Sequence, residues 1–326
     1  MSERLRGVDW VGAIVNSGAL ISLVMAINFG GGLYAWSSGQ IIGLFCCSGV
    51  LWTFFIAQQY FSFFTPKENR IFPVNFLKSK HLLLLFASVM CAACAVYIPL
   101  YYIPLYFQFA RNDDSLGSAV RLLPLVCFQV AGVIMSGALL NKVGYYFPWY
   151  LAGGIFSLIG GVLIYLADLN TSAGAIYGYS ILVGFGSGLY VQTGYAVSQL
   201  LVTAVEIPRT VAFIGYGHIS GVTLALTIGG TVFLNQATNA IAKILPSTPR
   251  SVVQQGITGA GGDFFNSIPV EKRSLVLSVI AKSIGNVYGI VIFAGCLSIV
   301  LSLFMSRERL VFDRTKNIDN SRIATA

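Results

Sequence analysis

The sequence contains little charge. Asp, Glu, Lys and Arg make up 10% of its 326 residues, whereas about a quarter of an ordinary soluble domain is charged. Hydrophobic residues make up 56%, and the mean hydropathy is +0.77. A soluble fold of this size could not bury so much apolar surface. The composition therefore excludes a soluble enzyme, a disordered chain and a nucleic-acid-binding protein, and it predicts an all-α integral membrane protein.

Groups that carry out covalent chemistry are also scarce. The sequence has two histidines, His81 and His218, and we find no carboxylate deep within an apolar run. All six cysteines lie in apolar runs, and we interpret them as packing residues, including the Cys91–Cys94 pair. We therefore expect no enzyme activity, no metal site and no cofactor.

Eight apolar runs are long enough to cross a bilayer, because a spanning helix needs about 20 residues. We predict spans at 8–29, 41–64, 81–109, 117–140, 149–167, 175–202, 210–234 and 275–304. A long loop, 235–274, is expected before the last span. Small residues at four-residue spacing, such as Gly184 and Gly188, predict close helix packing.

The distribution of positive charge predicts the orientation. With the N-terminus in the cytoplasm, thirteen of the 20 Lys and Arg residues fall on cytoplasmic segments. They are Arg4, Arg6, Lys67, Arg70, Lys78, Lys80, Lys142, Arg209, Arg307, Arg309, Arg314, Lys316 and Arg322. Since short cytoplasmic loops of membrane proteins are enriched in Lys and Arg, we predict that both termini are cytoplasmic. The basic residues of 67–80 and the tail are candidates for contact with anionic lipid headgroups.

Neutral polar side chains recur on single faces of the predicted helices. Amides and phenols facing lipid are costly, so these faces should meet a cavity for an organic solute or, alternatively, hydrogen-bond to other helices. The cavity candidates are Tyr97, Tyr101, Gln108, Arg121, Gln129, Gln192, Tyr195, Gln199, Tyr216 and His218. His218 is either a hydrogen-bonded core residue or a group that binds solute or handles protons.

Two further candidates lie near the predicted outer ends of spans. Arg121 either extends to the surface or forms a charge pair with Asp113, Asp114 or a substrate acid. Asn170-Thr171-Ser172 is a sequon that makes Asn170 a glycosylation candidate.

Five segments follow one another in a specific order. They are Asp9-Trp10-Val-Gly12 through Asn28-Phe-Gly30-Gly31-Gly32-Leu-Tyr34-Ala-Trp36, Ile103-Pro104-Leu105-Tyr106-Phe107-Gln108, Ser118-Ala-Val-Arg121-Leu-Leu-Pro124-Leu, Gly137-Ala-Leu-Leu-Asn141-Lys142-Val-Gly144, and Gly184-Phe-Gly186-Ser-Gly188 with Gln192. In this order they resemble fungal fourteen-span drug:proton antiporters of the major facilitator superfamily (MFS).

The resemblance implies a partial MFS fold with about eight transmembrane helices. Residues 1–64 would be the two extra helices that link the halves of such a transporter, 65–80 a basic cytoplasmic loop, 81–306 the C-terminal six-helix half and 307–326 a cytoplasmic tail. Gly137, Asn141, Lys142 and Gly144 would form the cytoplasmic gating loop, with Asn141 in place of the family's acid.

The implied function is export of small amphipathic organic compounds, such as fungal toxins, secondary metabolites or drugs, across the plasma membrane. The expected mechanism is proton-coupled alternating access. The N-terminal six-helix half is missing from the resemblance, so we expect the chain to need that half or a second copy. The alternatives are an MFS uptake carrier for a siderophore, sugar or other nutrient, and a truncated membrane protein without transport activity.

Overall fold

The computed structural model describes residues 9–61, 63, 70, 72–260, 265 and 268–309. The basic residues predicted at 4, 6, 67, 314, 316 and 322 lie outside these ranges, as does most of the predicted tail. The described residues form helices joined by short loops. The helices are α1 (Trp10–Phe29), α2 (Gly39–Phe61), α3 (Lys80–Arg111), α4 (Ser115–Val120), α5 (Leu123–Val143), α6 (Phe147–Tyr165), α7 (Ala173–Leu200), α8 (Ile207–Ile244), α9 (Arg250–Gln255), α10 (Val270–Val287) and α11 (Gly289–Leu303).

Eight of the described helical segments are long and apolar enough to cross a membrane, as the sequence predicted. Two of them are interrupted: α4 and α5 are separated at Arg121 and Leu122, and α10 and α11 at Tyr288. Short 3₁₀ helices precede α3 (Val74–Lys78) and α8 (Ala204–Glu206).

The predicted loop 235–274 is wrong in its first part. Helix α8 continues to Ile244, ten residues beyond the predicted end of the seventh span, and α9 follows after a short turn. The extension is amphipathic, since Ala237 and Ile241 are buried while Gln236 and Asn239 face outward. A search for one continuous apolar run does not detect such a helix.

The six spans from α3 to α11 form one bundle. Helix α7 packs against both α5 and α6, α6 packs against α11, and α3 packs against α8. The α1–α2 hairpin attaches to this bundle through α1 and α8. Three hydrogen bonds hold the attachment: Tyr216 Oη to Asn16 Oδ1 (2.7 Å), Thr231 Oγ1 to Ile27 O (2.9 Å) and Asn235 Nδ2 to Gly30 O (3.1 Å).

The bundle has two recognisable ends. The loops at 72–80, 141–146, 203–209 and 304–309 lie at the first, together with Arg70, and we call it the basic end. The loops at 30–38, 111–115 and 166–172 lie at the opposite end, as do the described residues that follow α8, 245–260. Contacts between loops support this assignment: Ser306 N donates to Tyr146 Oη (3.1 Å) at the basic end, and Arg111 donates to Thr171 O (2.8 Å) at the opposite end.

Candidate functional site

Three of the predicted cavity residues, all half-buried, meet where three helices come together. Tyr97 on α3, Tyr195 on α7 and His218 on α8 form what we call the Tyr–His cluster. Tyr195 Oη lies 3.1 Å from His218 Nδ1, and the rings of Tyr97 and His218 pack edge to face with centroids 5.9 Å apart. His218 lies eleven residues from the start of α8, about 16 Å along the helix axis. The cluster is therefore well inside the apolar part of the chain.

Glycines beside the cluster bring the three helices together. Gly217 faces the ring of Phe86, and Gly221 lies against the main chain of Met90, so the glycines allow α8 to approach α3 closely. Gly194 on α7 packs against Val89 of α3 in the same way. Close approach of this kind is how helices associate where no water drives them together.

His218 has one ring nitrogen without a partner. Its Nδ1 contacts Tyr195, whereas Nε2 is buried and forms no hydrogen bond with any residue that the structure describes. A buried polar atom left unpaired destabilises the fold, and such atoms are rare. Within the described residues, His218 Nε2 is therefore a buried ring nitrogen with unused hydrogen-bonding capacity.

Three predicted cavity residues with amide side chains, Gln192 and Gln199 on α7 and Gln129 on α5, lie outside the Tyr–His cluster. Gln192 is exposed, one turn from Tyr195. Gln199 donates its amide to the Tyr195 carbonyl (3.0 Å), a bond within its own helix. Gln129 on α5 is half-buried, and its main-chain oxygen faces Gly188 of α7. Of these three amides, Gln192 is therefore exposed at the surface, whereas Gln199 and Gln129 are engaged in contacts within or between helices.

Tyr216 lies away from the cluster, although it is only two residues from His218. Its hydroxyl bonds to Asn16 of α1, and its ring packs edge to face against Phe72. For this residue the structure favours the interhelical hydrogen-bonding alternative over a solute contact.

Four residues form a network at the opposite end of the bundle. Arg121 forms a salt bridge with Asp113, donates to Tyr177 Oη (2.7 Å) and stacks on the ring of Phe107, 4.5 Å from the centroid. Arg121 is thus charge-paired rather than extended to the surface.

Gln108 lies near this network and donates a hydrogen bond to Ser118 Oγ (3.0 Å). Together with Asp113 and Arg273, it lines an open cleft of about 960 Å³.

Tyr101 occupies a separate position at the same end. It is 59% exposed and packs edge to face on Tyr102, with ring centroids 5.0 Å apart. Together with Phe233 and Thr258 it lines a smaller cleft of about 260 Å³ between α3 and α8. The ten predicted cavity residues are therefore distributed over several places, of which the Tyr–His cluster joins three.

The predicted gating loop lies at the basic end. Gly144 ends α5 with φ of +73°, a conformation that glycine adopts without a steric penalty. A side chain at Gly144 would also collide with Arg309, so the chain after α11 packs onto this loop. Asn141 and Lys142 are exposed, and Gly137 has open space beside it.

Asn170, the glycosylation candidate, is exposed in the turn between α6 and α7. Asp168 organises this turn by accepting hydrogen bonds from the Thr171 hydroxyl (2.9 Å) and from the main chain of Asn170 and Thr171. These hydrogen bonds, led by that of Thr171, hold the pKa of the Asp168 carboxyl below its usual value.

The sequence interpretation missed one buried carboxylate, that of Asp9. Asp9, which caps α1, is 1% exposed and accepts hydrogen bonds from Gln58 (3.1 Å) and Gln59 (2.7 Å) at the end of α2. Gln59 in turn accepts from Phe72 N (3.1 Å). The adjacent amides Gln58-Gln59 at the end of an apolar run were the signal for this junction.

These features define an α-helical, multi-pass integral membrane protein with a half-buried polar cluster on three of its helices. No protein-family model matches the chain. Individual proteins do: MFS-type transporter pgmG of Aspergillus terreus is 45% identical over 94% of this chain and 55% of that protein. The phomenoic acid biosynthesis cluster MFS-type transporter of Leptosphaeria maculans is 41% identical over 95% of the chain and 52% of that protein, and efflux pump alnA of Emericella nidulans is 40% identical over 96% and 57%.

The chain is therefore homologous to fungal MFS-type transporters and efflux pumps, which confirms the resemblance seen in the sequence. It spans about half the length of the curated relatives it matches. These relatives are named as transporters and not as enzymes.

Proposed function

We propose that the chain is the C-terminal part of an MFS exporter of small amphipathic organic compounds, including fungal secondary metabolites. In this exporter it would form one of the two walls of the solute cavity. The Tyr–His cluster carries the proposal. It places an imidazole and two phenols from three helices in an otherwise apolar interior, with His218 Nε2 unpaired. Aromatic rings with a few polar atoms suit an amphipathic solute. The names of the relatives, which include efflux pumps and a biosynthesis-cluster transporter, support export.

In the proposed exporter, residues 81–306 are the six-span half and residues 1–64 are the two linking helices. In the described part of 1–64, α1 is joined to α8 by polar side chains. The other half completes the cavity on the side where Gln192 and Tyr101 are exposed, and the two halves rock around the solute. A second copy of this chain is the alternative source of that missing wall.

The orientation that we propose puts the basic end in the cytoplasm of a plasma-membrane protein. Arg70, Lys78, Lys142 and Arg209 lie at that end, on short loops, where positive charge is retained. The network of Arg121, Asp113 and Tyr177 then closes the outer face, and Gly144 with the segment at 305–309 closes the inner face. Protons driving export would act on His218 or on residues of the other half.

Efflux from cells tests the proposal. Transporter-deficient yeast would express this chain, the N-terminal six-helix half of a fungal relative, or both fused in order, at matched levels. We expect the fusion to lower retention of rhodamine 6G, and the chain alone to leave retention unchanged. Efflux by the chain alone would contradict the need for the N-terminal half and would favour a second copy of the chain as the other wall. Accumulation instead of efflux by the fusion would favour an uptake carrier, and no effect of a well-expressed fusion would favour a protein without transport activity.

A further inference from the structure

A cavity at the basic end has no role in the proposed transport. It has a volume of about 290 Å³ and lies between the end of α2, the 3₁₀ helix before α3 and the start of α8. We call it the basic cavity, and its polar lining consists of Tyr60, Arg70, Asn75, Lys78, Glu206 and Arg209. It lies far along α8 from the Tyr–His cluster, so the two sites are distinct.

The charge around this cavity favours an anion. Three cations, Arg70, Lys78 and Arg209, surround one carboxylate, Glu206. That carboxylate is already engaged, because it accepts hydrogen bonds from the main-chain N and the hydroxyl of Thr203 (3.2 and 2.8 Å). Among the residues that the structure describes, none of the three cations forms a salt bridge. Positive charge therefore exceeds negative charge in the lining of the cavity, and this excess favours a negative ligand.

Arg70 supplies the more specific observation. Its Nε is buried, yet it has no hydrogen-bond acceptor in the described part of the chain. An arginine with a desolvated, unsatisfied donor needs an acceptor, and the planar guanidinium matches phosphate oxygens in a two-point geometry. Lys78 and Arg209 are exposed at the rim and offer further donors to the same group.

The surroundings of the cavity indicate where the phosphate comes from. Tyr60 is 66% exposed on the last turn of α2, and Phe61 beside it is 63% exposed. Exposed aromatic side chains at the end of a spanning helix are typical of the level of the lipid headgroups. A phosphate bound in this cavity would place attached acyl chains along the apolar surface of α2.

We propose that the basic cavity binds the phosphate of an anionic lipid headgroup, with Arg70, Lys78 and Arg209 as its ligands. Basic pockets between spanning helices on the cytoplasmic side provide this kind of recognition. The site ties the α2–α3 connection to the start of α8, so an occupying lipid stabilises the junction between the linking hairpin and the six-span bundle. The inference depends on the cytoplasmic orientation proposed above but not on transport.

Lipid binding to the purified full chain in detergent tests the site, with native mass spectrometry and thermal unfolding as the two readouts. The probes are dioctanoyl phosphatidylinositol 4-phosphate, dioctanoyl phosphatidylcholine, inositol 1,4-bisphosphate and inorganic phosphate. We expect the phosphoinositide to bind and raise the melting temperature, and phosphatidylcholine to do neither. Arg209→Gln and Lys78→Gln should each weaken phosphoinositide binding about tenfold, since each removes a charged donor to phosphate.

Controls make each outcome decisive. Both residues are exposed, so these variants should melt like the wild type without lipid. Arg209→Lys should retain most of the binding. Arg250→Gln removes an equally exposed arginine at the opposite end and should have no effect. Undiminished binding in Arg209→Gln and Lys78→Gln, or an equal loss in Arg250→Gln, would overturn the site. Equal binding of inositol 1,4-bisphosphate or inorganic phosphate would overturn the assignment to a lipid.

Discussion

Tyr195 Oη and His218 Nδ1 lie 3.1 Å apart and join α7 to α8 within the apolar part of the bundle. The hydrogen bond therefore uses Nδ1 of His218, and Nε2 has no hydrogen-bond partner among the described residues. In the exporter proposed above, this pair would position the imidazole and couple the two helices that would line the solute path.

The first prediction concerns this pair. Tyr195→Phe removes the hydroxyl and His218→Ala removes its partner, and each should lower stability by about 0.5–1.5 kcal/mol, the net value of one hydrogen bond. The double variant should lose less than the sum of the two, because the second change breaks a bond that is already absent. Thermal unfolding in detergent provides the measurement.

Tyr216→Phe is the matched control, since Tyr216 is two residues from His218 but bonds to Asn16. Combined with His218→Ala, it should give an additive effect. Additivity for Tyr195 and His218 as well would show that the two side chains do not interact.

The second prediction concerns access to the α7 face. Gln192→Cys should react readily with a membrane-impermeant thiol reagent, because Gln192 is exposed, and Tyr195→Cys and Gln199→Cys should react more slowly. Leu189→Cys and Val197→Cys on the same helix should be inert, since the native residues are 2% and 0% exposed. The six native cysteines must first be replaced, as several of them are exposed.

Equal reactivity at all five positions would contradict the assignment of the faces. Equal silence would mean that Gln192 faces lipid or another helix and lines no water-accessible path.

The third prediction concerns helix packing. A Cβ at Gly184 would collide with the Leu125 carbonyl oxygen, and one at Gly188 with that of Gln129, so α7 contacts the main chain of α5. Main-chain atoms cannot rotate away. Gly184→Ala and Gly188→Ala should therefore each cost about 1–3 kcal/mol of stability, measured by thermal unfolding in detergent.

Gly178→Ala on the same helix is the control, because it has open space around it. It should be neutral or slightly stabilising, as alanine is the better helix former. A loss in Gly178→Ala as large as in Gly184→Ala would point to a general requirement for glycine and not to close packing.

The fourth prediction concerns orientation. Lys78 and Arg209 line one cavity, and Ser251 follows the far end of α8, so Lys78 and Ser251 lie at opposite ends of the bundle. Epitope tags inserted after each residue should be accessible from opposite sides of the membrane, the first only after permeabilisation. Tags accessible from the same side would contradict the arrangement of eight spans.

The sequence predicted the spans well because lipid requires an uninterrupted apolar run of about 20 residues. It missed the end of α8, since residues 235–244 form an amphipathic extension whose burial depends on α9 and α10. The Asp9 junction was missed for a related reason: its amide partners are separated from it by about fifty residues in the sequence.

The candidate site was predicted less completely. Helical spacing correctly places Tyr195 and Gln199 on one side of α7, but spacing within one helix does not show which residue meets a neighbouring helix. Tyr216 and His218 were both plausible, and only the packing of α8 between α1 and α3 separates their roles. That packing places Tyr216 against Asn16 of α1, and His218 beside Tyr97 of α3 and Tyr195 of α7.

Transport by purified protein tests the central proposal most directly. The fusion of this chain with the N-terminal half of a relative would be reconstituted in proteoliposomes, with a proton gradient imposed across the membrane and rhodamine 6G movement followed by fluorescence. Our account predicts that the solute moves in the direction opposite to proton flow and that a protonophore abolishes this movement. The double variant with Tyr195→Phe and His218→Ala should reduce the movement at least tenfold. Gradient-driven movement that is unchanged by these two substitutions would contradict the role of the Tyr–His cluster. Equal movement by the chain reconstituted alone would contradict the requirement for the N-terminal half.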